Sequence, residues 1–297
     1  MKFAGNLVGR RHRSDQAAGI LAMLGCALLW STAGLFIKLI DWQPFALAGI
    51  RSSVAAVFLW IVVKKPKFTF SFPQMVSALA YASTMILFVF ANKKTTAANA
   101  ILLQYGAPVY VAILGSLILK EKPRKEHVLA LAAVVVGMVV FFVESLGGGS
   151  LLGDAVAAIA GLTFATNIVF LRKQKDASPI DSLLLGHIFT ALIAGAISLS
   201  FPAPRFSFSS IAAVASMGVL QIGVPALLFA YGIKRITALE SILTAVVEPL
   251  FSPLWVFLAT GEAPGLSAFA GGSIILGAVV SSSVASVRRN ARTRTAR

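Results

Sequence analysis

Charged residues are scarce in this sequence, and acidic residues are the scarcest of them. Asp, Glu, Lys and Arg make up 12% of the 297 residues, and only 11 residues are acidic. Soluble domains typically contain ~25% charged residues. A chain with half that share cannot cover its surface with charge, so most of the surface is expected to face something other than water.

Recognisable elements of catalytic chemistry are also missing. Cys26 is the only cysteine, which excludes an intramolecular disulfide. The sequence has no phosphate-binding glycine loop, no metal-ligand spacing and no nucleophile–base pair, so we predict no catalytic residues, no metal site and no cofactor. The Gly147–Gly149 run is interpreted as a flexible link. A membrane-embedded enzyme and a non-transporting scaffold remain the alternatives from a different functional class.

Long apolar runs account for most of the chain, whose hydrophobic content is 58%. A helix needs about 20 mainly apolar residues to cross the hydrocarbon core, and these runs do not alternate as barrel strands would. The fold class predicted is an all-α integral membrane protein with ten transmembrane helices. The predicted spans are 18–40, 45–63, 74–92, 97–118, 127–143, 153–171, 180–200, 209–231, 238–258 and 266–286.

Basic residues are clustered between the apolar runs, which disfavours nucleic acid as the partner of a chain with net charge +15. Most of them fall in alternate connections and in the two ends, and lysine and arginine mark the cytoplasmic side. We therefore predict a multi-pass protein with both termini in the cytoplasm, including a basic tail at 1–17 and another at 287–297.

The chain contains an internal repeat, with one copy at 18–145, a glycine-rich linker at 146–152 and the second copy at 153–286. Several polar, aromatic and proline positions recur in one order. The matches include Trp30 with Phe164, Lys38 with Arg172, Thr96-Ala97 with Thr237-Ala238, Pro108 with Pro249, and Glu121 with Glu262. Because five crossings per copy is an odd number, the second copy must enter the membrane from the opposite face. Inverted repeats are typical of secondary transporters, whose substrate site lies where the halves meet.

This pattern resembles the drug/metabolite transporter superfamily, specifically its ten-helix EamA-type branch. The resemblance is carried by Leu28 to Thr32 with Phe36 and Lys38, by Arg51, by Ala97 to Pro108, by Glu121 and Glu262, and by Glu248-Pro249. It is most similar to the YddG-type exporters of aromatic and other amino acids. The resemblance implies a central cavity lined by spans 1, 3, 4, 6, 8 and 9 in a bacterial inner membrane.

Polar or aromatic side chains deep inside the spans are the candidate substrate site, because such groups are costly in lipid and normally face protein or a cavity. The candidates are Trp30, Thr32, Tyr81, Gln104, Tyr105, Phe164, Asn167 and Glu248. Packing is the competing interpretation for each, including Trp30. For Glu248 three roles stay open: partner of a buried cation such as Arg51 or His187, proton carrier, and group that binds an ammonium.

Two cations and three prolines inside the spans are candidates for coupling or gating: Arg51, His187, Pro108, Pro225 and Pro249. Each proline frees the carbonyl four residues earlier, which is that of Gln104, Gln221 or Ala245. A freed carbonyl could accept a hydrogen bond from an ammonium group of the substrate. The proline could equally well serve only to kink the helix.

The function predicted is export of amino acids by alternating access. The protein is predicted to be a monomer, because each chain holds both repeats. A single intramembrane arginine and no lysine cluster disfavour phosphorylated substrates. Another small metabolite or a cationic drug is the alternative substrate.

Overall fold

The protein is described by a computed structural model, and all regular structure in the described residues is helical. The described residues are 2–33, 36–37, 40–145, 150–251, 255, 258 and 265–295. The predictions made for Lys38, for Gly147–Gly149, for Glu262 and for the end of the ninth span lie outside these residues.

Twelve α-helices are defined in this part of the chain. They are α1 Lys2–Trp30, α2 Pro44–Val63, α3 Phe72–Lys94, α4 Ala97–Gln104, α5 Ala107–Leu114, α6 Lys125–Phe142, α7 Leu151–Lys173, α8 Pro179–Ser198, α9 Phe208–Ser216, α10 Val224–Ile233, α11 Ala238–Ala245 and α12 Leu266–Thr295. Two π-helical segments, Gly115–Leu119 and Met217–Gly223, continue α5 and join α9 to α10.

The helical segments have the length and composition of membrane spans. Eight are long and apolar enough to cross a bilayer, and Asp15–Trp30 is a shorter apolar helix. They coincide with the predicted spans other than the ninth, whose start is α11. Large apolar side chains such as Leu117, Leu129 and Phe208 are exposed on the outside of the bundle, as expected where lipid is the solvent. The predicted all-α membrane fold is confirmed.

The first and last helices extend beyond the predicted spans. α1 begins at Lys2 and α12 continues to Thr295, because arginine and lysine are good helix formers and hydropathy alone marks only the apolar part of a helix. α1 also ends early, at Trp30. The Ser31 and Thr32 hydroxyls donate to the carbonyls of Leu28 and Leu29 at 2.6 and 2.8 Å, which competes with continuation of the helix.

The fourth and ninth spans are broken at corresponding positions. Tyr105 and Gly106 form a turn between α4 and α5, and Val246 and Val247 form a turn directly after α11. Pro108 and Pro249 follow these turns, and proline has no N–H with which to continue the helical hydrogen bonds. Both breaks leave backbone polar groups inside the span, which is tolerated only where protein or a polar cavity surrounds them.

The two halves pack through reciprocal contacts. α3 packs on α7, and the corresponding contact expected from the repeat is the one that α1 makes with α10. α2 packs on α8, and α6 packs on α12. Two glycines that correspond in the repeat, Gly19 and Gly153, each lie close to the other half. A Cβ on Gly19 would lie 2.9 Å from Arg235 Cβ, and one on Gly153 would lie 2.9 Å from the backbone nitrogen of Thr95.

Gly161 is predicted to be required for the packing of α7 against the break in the fourth span. A Cβ at this position would lie 2.6 Å from the Gln104 carbonyl oxygen, which is backbone and cannot rotate away. Replacing a helical glycine by alanine normally stabilises a helix by up to about 1 kcal/mol. Gly161→Ala is instead expected to lower the melting temperature of the detergent-solubilised protein, because overpacking typically costs ~1–3 kcal/mol.

Gly277→Ala in α12 is the matched control, because nothing lies within 4 Å of a Cβ there. We expect this variant to melt at or above the wild-type temperature. Equal melting temperatures for the two variants would contradict the packing described here.

Candidate functional site

A central cavity lies where the two halves meet. Its volume is about 40 Å³. The spans predicted to line it all contribute, and Arg51 of α2 joins them. The lining residues are Trp30, Ala33, Arg51, Thr84, Met85, Phe88, Gln104, Tyr105, Phe164, Gln221, Ile222 and Glu248.

An aromatic cluster forms one part of the cavity wall. Trp30 and Phe164, which correspond in the repeat, lie edge to face with their ring centroids 5.7 Å apart. Trp30 also packs against Phe229 of α10, at 5.5 Å between centroids. The cluster offers flat apolar surface and the negative ring faces that attract cations.

The two broken spans meet at Tyr105. Its hydroxyl oxygen lies 2.5 Å from Glu248 Oε2 and 3.2 Å from the Ala245 carbonyl oxygen. The Ala245 carbonyl is the one that the sequence predicts to be freed by Pro249. Tyr105 and Glu248 therefore connect the break of the fourth span to the break of the ninth, at the cavity wall.

Arg51 is the cation of the cavity wall, and its side chain is 1% exposed. Nη1 donates to Gln221 Oε1 at 3.3 Å, Nη2 lies 3.8 Å from Met85 Sδ, and Nε has no hydrogen-bond partner. The ion pairs found in the described residues are Arg172–Glu121 and His127–Glu240. Neither Arg51 nor His187 thus forms an ion pair with Glu248, which was one of the roles considered for that acid.

Four polar candidates, Tyr81, His187, Asn167 and Thr32, do not line the cavity and bond to other parts of the protein. The Tyr81 hydroxyl is 3.0 Å from His187 Nε2, joining α3 to α8. Asn167 accepts a hydrogen bond from Ser77 at 3.0 Å, and Thr32 bonds to its own helix. Pro108, Pro225 and Pro249 shape the spans rather than line the cavity, and Pro225 directly follows the π-helical segment that carries Gln221.

Sequence reasoning missed several lining residues. Thr84, Met85 and Phe88 lie on one face of α3, and Ile222 faces them from the π-helical segment. Met85, Phe88 and Ile222 are apolar residues in apolar spans and give no signal of their own, whereas the Thr84 hydroxyl is a polar group that could have been singled out. Gln221 is recognisable in the sequence, because a side-chain amide at that depth is as unusual as that of Gln104. Only its backbone carbonyl was predicted to matter.

A second polar cluster joins the ends of four spans. Arg172 Nε donates to Glu121 Oε1 at 2.8 Å, and the other carboxylate oxygen of Glu121 accepts from the backbone nitrogen of Ala238 at 3.0 Å. Arg172 Nη1 also donates to the carbonyl of Ile233 at 2.8 Å. The cluster thereby ties the ends of the fourth, sixth and eighth spans to the start of the ninth.

Comparison with known proteins gives the family. The sequence profile of the EamA-like transporter family matches the chain twice, at residues 17–143 and at residues 151–284. The chain belongs to the EamA-like transporter family. It is therefore a membrane transporter and not an enzyme.

The individual relatives agree with this membership. One uncharacterized transporter of Archaeoglobus fulgidus is 27% identical over 269 residues, covering 85% of this chain and 92% of the relative. A second from the same organism is 29% identical over 206 residues, covering 66% of this chain and 71% of the relative. One solved crystal structure superposes with a TM-score of 0.79 at 20% identity, covering 92% of this chain and 99% of that chain, which shows the shared fold.

The bond between Tyr105 and Glu248 is predicted to contribute to the stability of this EamA-like transporter. Tyr105→Phe leaves the half-buried Glu248 carboxylate without its hydroxyl partner, and we expect the free energy of unfolding to fall by about 1–3 kcal/mol. In a Glu248→Met background the same tyrosine substitution should cost less, because the carboxylate is already absent. Thermal unfolding of the four proteins of this double-mutant cycle measures the coupling, and strictly additive effects would show that the bond does not stabilise the fold.

Proposed function

We propose that this protein is a secondary transporter that exports amino acids, aromatic ones included, across a bacterial inner membrane by alternating access. One observation chiefly supports this function. Among the described residues that line the cavity between the halves, Glu248 is the single acid and Arg51 the single cation, and the rest are aromatic rings, aliphatic side chains, two amides, a thioether and a hydroxyl. A cavity of this kind suits a small organic solute with a positively charged group and an apolar side chain.

Glu248 and the carbonyl of Ala245 are the proposed partners of the substrate's ammonium group. Both are acceptors beside a broken helix, where irregular backbone commonly contacts the substrate in transporters with inverted repeats. Trp30 and Phe164 are the proposed contacts of the substrate's side chain, and Gln104 adds an amide. Phosphorylated substrates are disfavoured, because a multiply charged anion needs more than one fixed cation.

The reciprocal packing of the halves supports the inverted repeat, with units at 18–145 and 153–286. When a unit with an odd number of spans is duplicated, each contact between the halves is expected to have a counterpart in which the two halves have exchanged roles. The two matches to one family profile fall on the same units. With cytoplasmic termini, the cluster around Glu121 and Arg172 lies on the cytoplasmic side.

This cluster is the proposed gate on the cytoplasmic side. It binds together the span ends that must separate if the cavity is to open there. The repeat pairs Arg172 with Lys38 and Glu121 with Glu262, so the sequence supplies opposite charges at the corresponding positions of the other face. In the proposed alternating access, opening of the cavity toward the cytoplasm requires release of the Arg172–Glu121 pair.

Counterflow of labelled amino acid in proteoliposomes tests the function. Wild type is expected to show saturable exchange, and Glu248→Gln to lose most of it, because the neutral amide attracts an ammonium far less than a carboxylate does. Asp176→Asn, which removes an exposed acid in a connection, is the control and should retain full exchange. Undiminished exchange by Glu248→Gln would remove this residue from the site, and absence of exchange for every amino acid would refute the proposed substrate.

Thiol labelling tests the gate. In a Cys26→Ala background, Thr84→Cys places a thiol in the cavity wall, and Glu121→Ala is expected to increase its labelling by an impermeant maleimide several-fold in inside-out vesicles. The reason is that loss of the ion pair shifts the population toward the state open to the cytoplasm. Lys122→Ala, which removes the neighbouring exposed charge, should leave the labelling rate unchanged; if both variants label like the parent, the cluster is not the gate.

A further inference from the structure

Arg51 occupies an unusual position for an arginine in a membrane protein. It lies in the middle of α2, it is buried, and its guanidinium borders the central cavity rather than reaching toward a membrane surface. Arginine near a span end can extend to the interface and keep its hydration. Burial at this depth removes that option, so the charge has to be balanced from within the protein or from the cavity.

The protein itself balances this charge poorly. A guanidinium has five N–H donors. In the described residues those of Arg51 meet one amide oxygen at 3.3 Å and one thioether sulfur at 3.8 Å, while Nε has no partner. No carboxylate in this part of the chain lies within ion-pair distance of it. Intramembrane cations normally pair with an acid or with backbone carbonyls, so the described residues provide Arg51 with no anionic partner.

The acid of the cavity is not that partner, because Glu248 bonds to Tyr105. The cavity wall thus presents one positive and one negative group that do not neutralise each other. A ligand carrying both charges would neutralise both at once. A simple organic cation would leave Arg51 as it is and would add a second positive charge to the cavity.

We propose that Arg51 is the binding site for the carboxylate of the substrate, so that Arg51 and Glu248 together form a two-point site for a zwitterion. This inference rests on the proposed function and narrows the substrate to molecules with both an ammonium and a carboxylate group. A guanidinium binds a carboxylate through two parallel N–H···O bonds, and Arg51 has donors to spare for this. Gln221, fixed on the π-helical segment, is the positioning residue that orients the guanidinium.

Three ligands that differ by one charged group test the inference: phenylalanine, phenethylamine, which lacks the carboxylate, and 3-phenylpropionate, which lacks the ammonium. Binding is measured on the purified full-length protein in detergent, by titration of the ligand-induced rise in melting temperature. Wild type is expected to bind phenylalanine more tightly than either analogue, because only phenylalanine engages both charges.

Arg51→Gln should weaken binding of phenylalanine and 3-phenylpropionate about tenfold or more, the range expected when a hydrogen-bonded charge pair loses one partner. Its affinity for phenethylamine should be unchanged or increased. Glu248→Gln is the matched control and should do the reverse, sparing 3-phenylpropionate. Arg51→Lys keeps the charge and should retain part of the preference for ligands with a carboxylate. If Arg51→Gln does not fold, the affinities of Arg51→Lys for the three ligands are compared with those of wild type instead.

The outcomes separate this inference from the proposed function. Equal weakening of all three ligands by Arg51→Gln would show that the arginine only supports the fold, and would overturn the carboxylate site while leaving amino-acid transport standing. Wild-type binding of phenethylamine alone would overturn it too, and would point to a cationic substrate. Failure of wild type to bind phenylalanine or any other amino acid would overturn the proposed function and this inference together.

Discussion

The need to satisfy polar groups away from water governs this structure more than any other constraint. Lipid offers no hydrogen bonds, so a span may break or carry a charge only where the rest of the protein supplies partners. The breaks after Gln104 and after Ala245 meet this condition by facing each other, with Tyr105 between them. Their position at the junction of the halves brings polar groups to the wall of a cavity that is otherwise lined mainly by apolar and aromatic side chains.

The same constraint explains how the halves differ although they pack reciprocally. α2 bonds to the eighth span through Arg51 and Gln221, and its counterpart α8 bonds to the third span through His187 and Tyr81. The first pair borders the cavity, whereas the second is buried away from it. Equivalent crossings have therefore diverged: one places a charge beside the cavity, and the other fills its space with two rings in edge-to-face contact. Within the proposed inverted repeat, such divergence would allow the two halves to contact different ends of an asymmetric ligand.

The sequence predicted about half of the residues that line the cavity and missed the others. Trp30, Gln104, Tyr105, Phe164, Glu248 and Arg51 were selected because polar or aromatic groups are conspicuous at membrane depth, and all of them line the cavity. Depth alone does not give the direction in which a side chain points. Tyr81 and Asn167 are as deep, but they face neighbouring helices, and this depends on helix rotation set by packing. Met85 and Phe88 were missed for the opposite reason, because they look like any other apolar residue of a span.

The residues at which helices end or break could not be predicted from hydropathy either. Pro108 indicates a disturbance of the helix near Tyr105. The turn at Ser31 and Thr32 instead depends on two hydroxyls that bond back to their own helix. The sequence marked Thr32 as a candidate substrate contact, but nothing in it indicated that the two hydroxyls end the helix. Hydropathy measures where a chain prefers lipid, and it contains no information about local competition for carbonyl groups.

The hydrogen bonds of Tyr105 connect binding to movement within the proposed mechanism. Its hydroxyl has one hydrogen, yet it faces two acceptors, the Glu248 carboxylate and the Ala245 carbonyl. An ammonium group has three hydrogens and can serve both. A substrate that takes over these acceptors releases Tyr105, and with it the bond that ties the break of the fourth span to that of the ninth. Occupancy of the cavity would then loosen the contact between the halves at the point where they must shift for the cavity to change sides.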